Sequence, residues 1–129
     1  MKSSPIKIRA KVVEGAGRGR RLGIPTINLD PQAAGILEEG IWVCQALFPQ
    51  AFWGVLHFGP RPVFNEEEKT LEVYLFDFDK NLQVPLHLDL EVFDYIREVA
   101  DFESPKKLIE RIEEDIRVAK QKIKSYQIR

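Results

Sequence analysis

The stretch of sequence that decides the fold is Val84-Pro85-Leu86-His87-Leu88-Asp89-Leu90-Glu91-Val92. Apolar and polar residues alternate along it, so an extended chain carries four apolar side chains on one face: Leu86, Leu88, Leu90 and Val92. This period of two predicts a β-strand with one buried face. Because proline has no amide hydrogen to donate, we expect Pro85 at the start or the edge of the strand.

Four other segments are rich in β-branched and aromatic residues and also predict strands: residues 6–13, 41–48, 52–58 and 70–78. Turns that contain glycine and proline join them, as at Gly59-Pro60-Arg61-Pro62. Short strands joined in this way are typical of an antiparallel barrel or sandwich. The sequence therefore predicts a mostly β fold.

The period of the apolar residues changes near residue 105. Beyond that point they recur at intervals of three and four, which predicts one apolar stripe on a helix: Leu108, Ile112, Ile116, Ala119 and Ile123. Ser104 is a suitable N-cap and Pro105 a suitable first helical residue. We expect this helix to cover an open end of a barrel, with a coiled-coil partner as the alternative.

The amino-acid composition limits the kinds of protein to which the chain can belong. A chain of 129 residues, 44% hydrophobic and 30% charged, is typical of a single soluble domain spanning residues 1–129. One cysteine excludes an internal disulfide, and no apolar run approaches the roughly 18 residues of a membrane span. The N-terminus lacks the apolar stretch of a signal peptide, so we expect a cytoplasmic protein with no membrane partner. A net charge of −1 argues against general binding to nucleic acid.

Glycine and arginine dominate residues 13–28, which read Val-Glu-Gly-Ala-Gly-Arg-Gly-Arg-Arg-Leu-Gly-Ile-Pro-Thr-Ile-Asn. Glycines let the backbone approach a ligand closely, and the arginines Arg18, Arg20 and Arg21 supply positive charge. The stretch is neither a Walker A loop nor a dinucleotide fingerprint. A phosphate-binding loop, a flexible hairpin and an RNA-contacting loop all remain open.

Two further sets of polar residues could carry chemistry. Thr26 and Asn28 lie two residues apart, so in an extended segment their oxygens share one side and suit Mg²⁺ beside bound phosphates. A simple turn after Pro25 is the alternative, and the spacing alone favours it. Glu72 lies inside a strand, either on a solvent face or in an aromatic pocket that would make it a general base. Its spacing alone favours the solvent face, and neither His57 nor His87 receives a role.

Five motifs in order resemble the signature of the riboflavin kinases (flavokinases). The glycine-rich loop leads into Pro25-Thr26-Ile27-Asn28, as the family's loop leads into Pro-Thr-Ala-Asn. The other four similar segments are Gly40-Ile41-Trp42, Phe58-Gly59-Pro60-Arg61-Pro62, Leu71-Glu72-Val73-Tyr74-Leu75, and Ile96-Arg97 followed by Asp101-Phe102-Glu103-Ser104. The order and spacing hold over roughly residues 8–123.

The resemblance implies a six-stranded antiparallel β-barrel of Greek-key type over about residues 6–98, followed by a helix over about 105–124. It also implies transfer of the γ-phosphoryl group of ATP to the ribityl 5′-hydroxyl of riboflavin, which gives FMN and ADP. In many bacteria such a domain is fused to an FMN adenylyltransferase domain. The chain is therefore expected to be either a stand-alone kinase or one domain of a longer protein.

Carried onto this chain, the resemblance implies a role for each matching residue. Thr26 and Asn28 would hold Mg²⁺, Glu72 would act as the catalytic base, and Arg97 and Phe102 would contact the flavin. The nucleotide would be held by Gly15, Gly17, Arg18, Arg20, Arg21, Pro25, Leu75 and Asp77.

The chain departs from the family pattern at Ile27, His57, Val63, Gln83 and Val84. At Gln83 and Val84 an aromatic residue near the nucleotide base is missing, which would weaken stacking. We expect the side chain of Ile27 to point away from the two metal ligands. The departures leave a second interpretation open, a non-catalytic flavin- or nucleotide-binding module on the same barrel.

Overall fold

A computed structural model of the protein describes residues 5–14, 26–48, 50–61, 66–79 and 81–127. The described residues form six strands: β1 (Ile6–Lys11), β2 (Ile27–Leu29), β3 (Gly40–Phe48), β4 (Gln50–Arg61), β5 (Glu66–Leu75) and β6 (His87–Arg97). A 3-10 turn spans Pro31–Ala34, and one helix, α1, spans Pro105–Gln127. The strands pair in the order β1-β6-β3-β4-β5-β2, and every pair is antiparallel.

The sheet curls until its two edge strands meet. Val12, just after β1, pairs with Leu29 of β2. The amide of Val13 donates to the carbonyl of Asn28 at 2.9 Å, and the amide of Asp30 donates to the carbonyl of Lys11 at 2.9 Å. Because β6 lies between β1 and β3, the chain crosses over as in a Greek key. The antiparallel barrel and its C-terminal helix are thus confirmed.

The inner core fills the barrel with alternate residues of the strands. Its fully buried members include Leu56, Leu71, Val73, Leu88, Leu90 and Val92. Cys44 belongs to the same core, and burial raises the pKa of its thiol. Alternation therefore predicted the buried face of β6 correctly at Leu88, Leu90 and Val92.

A second core lies on the outside of the barrel, where helix α1 packs against β3 and β4. It joins buried residues of the two strands and Phe76, just after β5, to buried residues of the helix: Ile41, Val43, Val55, Phe76, Ala119 and Ile123. The helix therefore covers an outer face of the sheet, and our expectation that it covers an open barrel end was wrong. The physical reason is that β3 is apolar on both faces, so its outer face also needs cover.

Several element boundaries differ from the prediction: β4 spans Gln50–Arg61 instead of 52–58, β5 begins at Glu66 instead of residue 70, and β6 continues to Arg97 instead of ending at residue 92. Strand β6 begins only at His87, and Leu86 is 82% exposed rather than part of the buried face. Strand β2, only three residues long, was not predicted. Strand β5 ends at Leu75, and Asp77 then takes a positive φ of 56° in the turn that follows.

The helix begins as predicted and ends later. The hydroxyl oxygen of Ser104 accepts from the amide of Lys107 at 3.3 Å, as an N-cap does. The helix runs to Gln127 instead of ending near residue 124. No helix among the described residues has the length and apolar character that a membrane crossing requires.

Leu86 and Leu88 form a matched pair of positions that tests where strand β6 begins. Leu88 is fully buried, so Leu88→Ala should lower the free energy of unfolding by about 2–5 kcal/mol. The exposed Leu86 should tolerate the same change within about 0.5 kcal/mol. Urea unfolding followed by circular dichroism measures both, and equal losses at the two positions would contradict the observed start of β6.

Candidate functional site

An open cleft of about 60 Å³ lies between the outer faces of β4 and β5 and the first turns of helix α1. One wall is apolar and comes from the helix and the segment before it: Val99, Ala100, Phe102, Leu108 and Ile112. Thr26, His57 and Glu72 lie on the floor of the cleft, and Arg97 lies beside Phe102 on the wall. An apolar wall facing a few convergent polar groups is the usual form of a small-molecule site.

Glu72 is half-buried on the floor of this cleft, and both of its carboxylate oxygens accept hydrogen bonds. The hydroxyl of Thr70 donates to Oε2 at 2.9 Å, and the hydroxyl of Thr26 donates to Oε1 at 3.3 Å. Glu72 does point outward from the barrel, as the spacing indicated. Helix α1 nevertheless shields this part of the outer face, so Glu72 lies in a cleft rather than on an open solvent face.

Strand pairing brings the two predicted metal ligands to Glu72. Asn28 of β2 lies directly opposite Glu72 of β5 in the register, and Thr26 contacts the carboxylate itself. Ile27 between them packs against the inner core, which confirms that its side chain points away. Hydroxyl and amide oxygens beside a carboxylate fit the preference of Mg²⁺ for hard oxygen ligands, with phosphate and water completing its shell.

Arg97 of β6 forms a buried ion pair with Asp115 of helix α1. Arg97 donates from Nε to Oδ1 of Asp115 at 2.8 Å and from Nη2 to Oδ2 at 2.7 Å, which is a bidentate arrangement. The side chains are only 11% and 3% exposed. The guanidinium carbon of Arg97 also lies 5.6 Å from the centre of the Phe102 ring. The two predicted flavin-contacting residues therefore adjoin each other in the cleft.

His57, at one of the departures from the family pattern, is buried beside this site. It lies opposite Glu72 in the register of β4 and β5 and lines the cleft. Its Nε2 lies 2.9 Å from the carbonyl oxygen of Gly59. Because a carbonyl only accepts hydrogen bonds, Nε2 carries the hydrogen and donates it.

The structure does not bring two of the predicted nucleotide residues to this cleft. Leu75 is buried in the inner core, and Asp77 is exposed in the turn after β5. Asp77 instead lines a separate groove beside Lys120 and Lys124 near the end of the helix. The remaining predicted nucleotide residues lie outside the described part of the chain: Gly15, Gly17, Arg18, Arg20, Arg21 and Pro25. Val63 also lies outside it.

Thr70 and Asp115 are residues of the site that the sequence analysis missed. Thr70 lies two residues before Glu72, and this spacing on a strand already indicates that both share one face. Asp115 lies three residues after Ile112 and four before Ala119, inside the apolar stripe of the helix. That spacing indicates a buried acid, but the many charged residues around it obscured the signal.

The family model described as "Flavokinase: Riboflavin kinase" matches residues 2–123 of the chain. A riboflavin kinase of Mus musculus is 30% identical over 130 residues, which cover 95% of this chain and 84% of that protein. An RNA-binding riboflavin kinase of Bacillus subtilis is 34% identical over 110 residues, which cover 84% of this chain and 47% of that protein.

Several other curated relatives are bifunctional riboflavin kinase/FMN adenylyltransferases. The chain spans between 18% and 47% of the length of three of the curated relatives that it matches. Among solved structures, a macrolide-efflux protein from Streptococcus pneumoniae is similar, with a TM-score of 0.72 and 28% sequence identity. That similarity covers 90% of this chain and 38% of the other chain.

Proposed function

The chain belongs to the riboflavin kinase family, and from that premise we propose that it transfers the γ-phosphoryl group of ATP to the ribityl 5′-hydroxyl of riboflavin. The products are FMN and ADP. The observation that carries the proposal is the Glu72 carboxylate, held by two threonine hydroxyls on the floor of a cleft with one apolar wall. The relatives that carry riboflavin kinase in their names support the same reaction.

The two sides of the cleft suit the two parts of riboflavin. The apolar wall of Val99, Ala100, Phe102 and Ile112 matches the flat ring system, which is largely apolar on its faces. The polar floor then receives the ribityl chain. This orientation places the 5′-hydroxyl toward Glu72 and away from the wall.

Glu72 acts on the hydroxyl that attacks. Its carboxylate accepts the proton of the 5′-hydroxyl as the oxygen–phosphorus bond forms, and the bond between the γ-phosphorus and ADP breaks. Because the Thr26 and Thr70 hydroxyls already hold both carboxylate oxygens, little reorganisation is needed at the moment of transfer. Phosphoryl transfer depends mainly on such positioning and on neutralising charge.

Thr26 and Asn28 would hold Mg²⁺, which when bound neutralises the negative charge of the phosphates. The proximity of both residues to Glu72 supports this assignment. The loop residues Gly15, Gly17, Arg18, Arg20, Arg21 and Pro25 remain the predicted contacts of the nucleotide.

Three wider assignments belong to the same proposal. The bifunctional relatives support the interpretation that this chain is the kinase part of a longer protein. We place the reaction in the cytoplasm, where ATP is abundant. Although one relative is named as RNA-binding, the near-zero net charge of this chain still favours the absence of a nucleic-acid partner.

Glu72→Gln tests the proposed base, since it keeps the shape of the side chain and removes its charge. We expect turnover to fall by about 100-fold or more, the usual contribution of a general base. Riboflavin affinity should stay within a few-fold of wild type, because the flavin ring contacts the opposite wall. Chromatography of FMN formed from riboflavin, ATP and Mg²⁺ measures turnover, and quenching of riboflavin fluorescence measures binding.

An EDTA control separates metal-dependent turnover from background. Wild-type turnover in the Glu72→Gln variant would remove Glu72 from the role of base. If the wild-type protein binds riboflavin and forms no FMN, the non-catalytic binding module becomes the better interpretation.

Thr70→Val and Thr70→Ser form a matched pair for the contact with Glu72. Valine has the shape of threonine without the hydroxyl, so we expect turnover to fall about tenfold, the value of one hydrogen bond to a charged group. Serine keeps the donor and should retain most of the activity. Equal turnover in the two variants would contradict a contribution of this hydrogen bond to catalysis.

Asn28→Leu tests the metal site. The change removes an oxygen ligand while keeping a similar volume, so the Mg²⁺ concentration that gives half-maximal turnover should rise about tenfold or more. Titration of initial rates with Mg²⁺ measures this concentration. Ile27→Val, a change on the inward-facing neighbour, is the control and should leave it unchanged.

A further inference from the structure

Asp115 is an acidic residue on the apolar side of helix α1. Its side chain is only 3% exposed, and it lies in the same stripe as Ile112 and Ala119. A buried carboxylate loses its hydration, and pairing it with a buried arginine often does no more than offset this loss. A protein in which apolar residues of similar volume replace such a pair is often as stable as the original or more stable. Stability alone therefore gives no reason for an acid at this position.

The contacts of Asp115 control the orientation of Arg97. Two parallel hydrogen bonds from the guanidinium to the two carboxylate oxygens, at 2.8 and 2.7 Å, fix the plane of the group. Nη1 of Arg97 also donates to the carbonyl of Glu98 at 2.9 Å. These contacts tie the end of β6 to the middle of the helix.

The fixed guanidinium still has donors to offer. A guanidinium carries five N–H groups, and the described residues engage three of those on Arg97. One N–H group on Nη1 and one on Nη2 have no acceptor among the described residues. Arg97 lines the cleft, and its guanidinium lies beside the ring of Phe102. The flavin ring system is complementary to this wall. Carbonyl oxygens at one edge of the ring system can accept hydrogen bonds from the guanidinium, and its apolar faces can contact the Phe102 ring.

We infer that Asp115 is a positioning residue for the flavin: it holds Arg97 so that two guanidinium N–H groups and the Phe102 ring meet the flavin in one orientation. The inference rests on the proposed function, because it takes riboflavin as the occupant of the cleft. Asp115 acts through Arg97 and touches neither the phosphates nor the reacting hydroxyl.

Four variants test the inference in the full chain. Asp115→Asn keeps the shape and removes the charge, and Arg97→Met removes the guanidinium. Arg97→Met/Asp115→Leu replaces the whole pair by apolar side chains, so it leaves no unpaired buried charge and should keep the fold even if a single variant fails to fold. Arg111→Gln is the control, because Arg111 lies 3.7 Å from Asp115 and is 46% exposed, outside the lining of the cleft.

Riboflavin fluorescence quenching, without ATP, gives the dissociation constant of each variant, and thermal unfolding gives its stability. We expect about tenfold weaker riboflavin binding in Asp115→Asn and in Arg97→Met, the value of one charge-assisted contact. The double variant should bind as weakly as Arg97→Met while its melting temperature recovers to that of wild type or above. Arg111→Gln should bind riboflavin within about twofold of wild type, since exposed ion pairs contribute little.

Two results would overturn the inference. One is wild-type riboflavin affinity in Asp115→Asn. The other is recovery of affinity together with stability in the double variant, which would make the ion pair a structural link only. Because the binding measurement needs no turnover, a wild-type protein that binds riboflavin without forming FMN would contradict the proposed kinase activity and still leave the role of Asp115 to be decided by these variants.

Discussion

The apolar outer face of β3 and β4 is the constraint on which the rest of the structure depends. Ile41, Val43 and Val55 point away from the barrel interior and must be covered by another element. Helix α1 supplies that cover with Ala119 and Ile123. The helix is consequently held against the side of the barrel, and the cleft forms where its first turns meet the segment that follows β6.

Closure of the barrel sets the geometry of the polar floor of the cleft. Strand β2 is only three residues long, and it is held on one side by β5 and on the other by Val12 and Val13 after β1. Because of this pairing, Asn28 lies opposite Glu72 without a long strand of its own. Backbone hydrogen bonds thus position Asn28, which is proposed to hold the metal, opposite Glu72, which is proposed to take the proton.

Sequence patterns predicted those features that depend on local periodicity. The buried face of β6, the N-cap at Ser104 and the apolar stripe of the helix all follow from intervals of two or of three and four residues. Resemblance to the family identified Thr26, Asn28 and Glu72, and the strand register brings them together. What patterns could not give was the side of the sheet that the helix covers, because β3 is apolar on both faces.

Features that depend on contacts between distant parts of the chain could not be predicted from local patterns. Leu86 continues the alternation of β6 in the sequence, yet it precedes the first paired residue of that strand and is exposed. Asp115 looks like one of many charged residues on the helix until Arg97 of a distant strand is seen beside it. Leu75 and Asp77 follow Glu72 closely in sequence but do not line the cleft, and their contact with the nucleotide stays a prediction.

A crystal structure of the protein with riboflavin, ADP and Mg²⁺ tests most directly that this cleft is the site of phosphoryl transfer. We expect the flavin ring against Phe102 and Arg97, with the 5′-hydroxyl oxygen about 2.6–3.2 Å from a carboxylate oxygen of Glu72, the distance that proton transfer requires. Riboflavin bound in the groove beside Lys120 and Asp77, or bound in the cleft with its 5′-hydroxyl directed away from Glu72, would contradict the account.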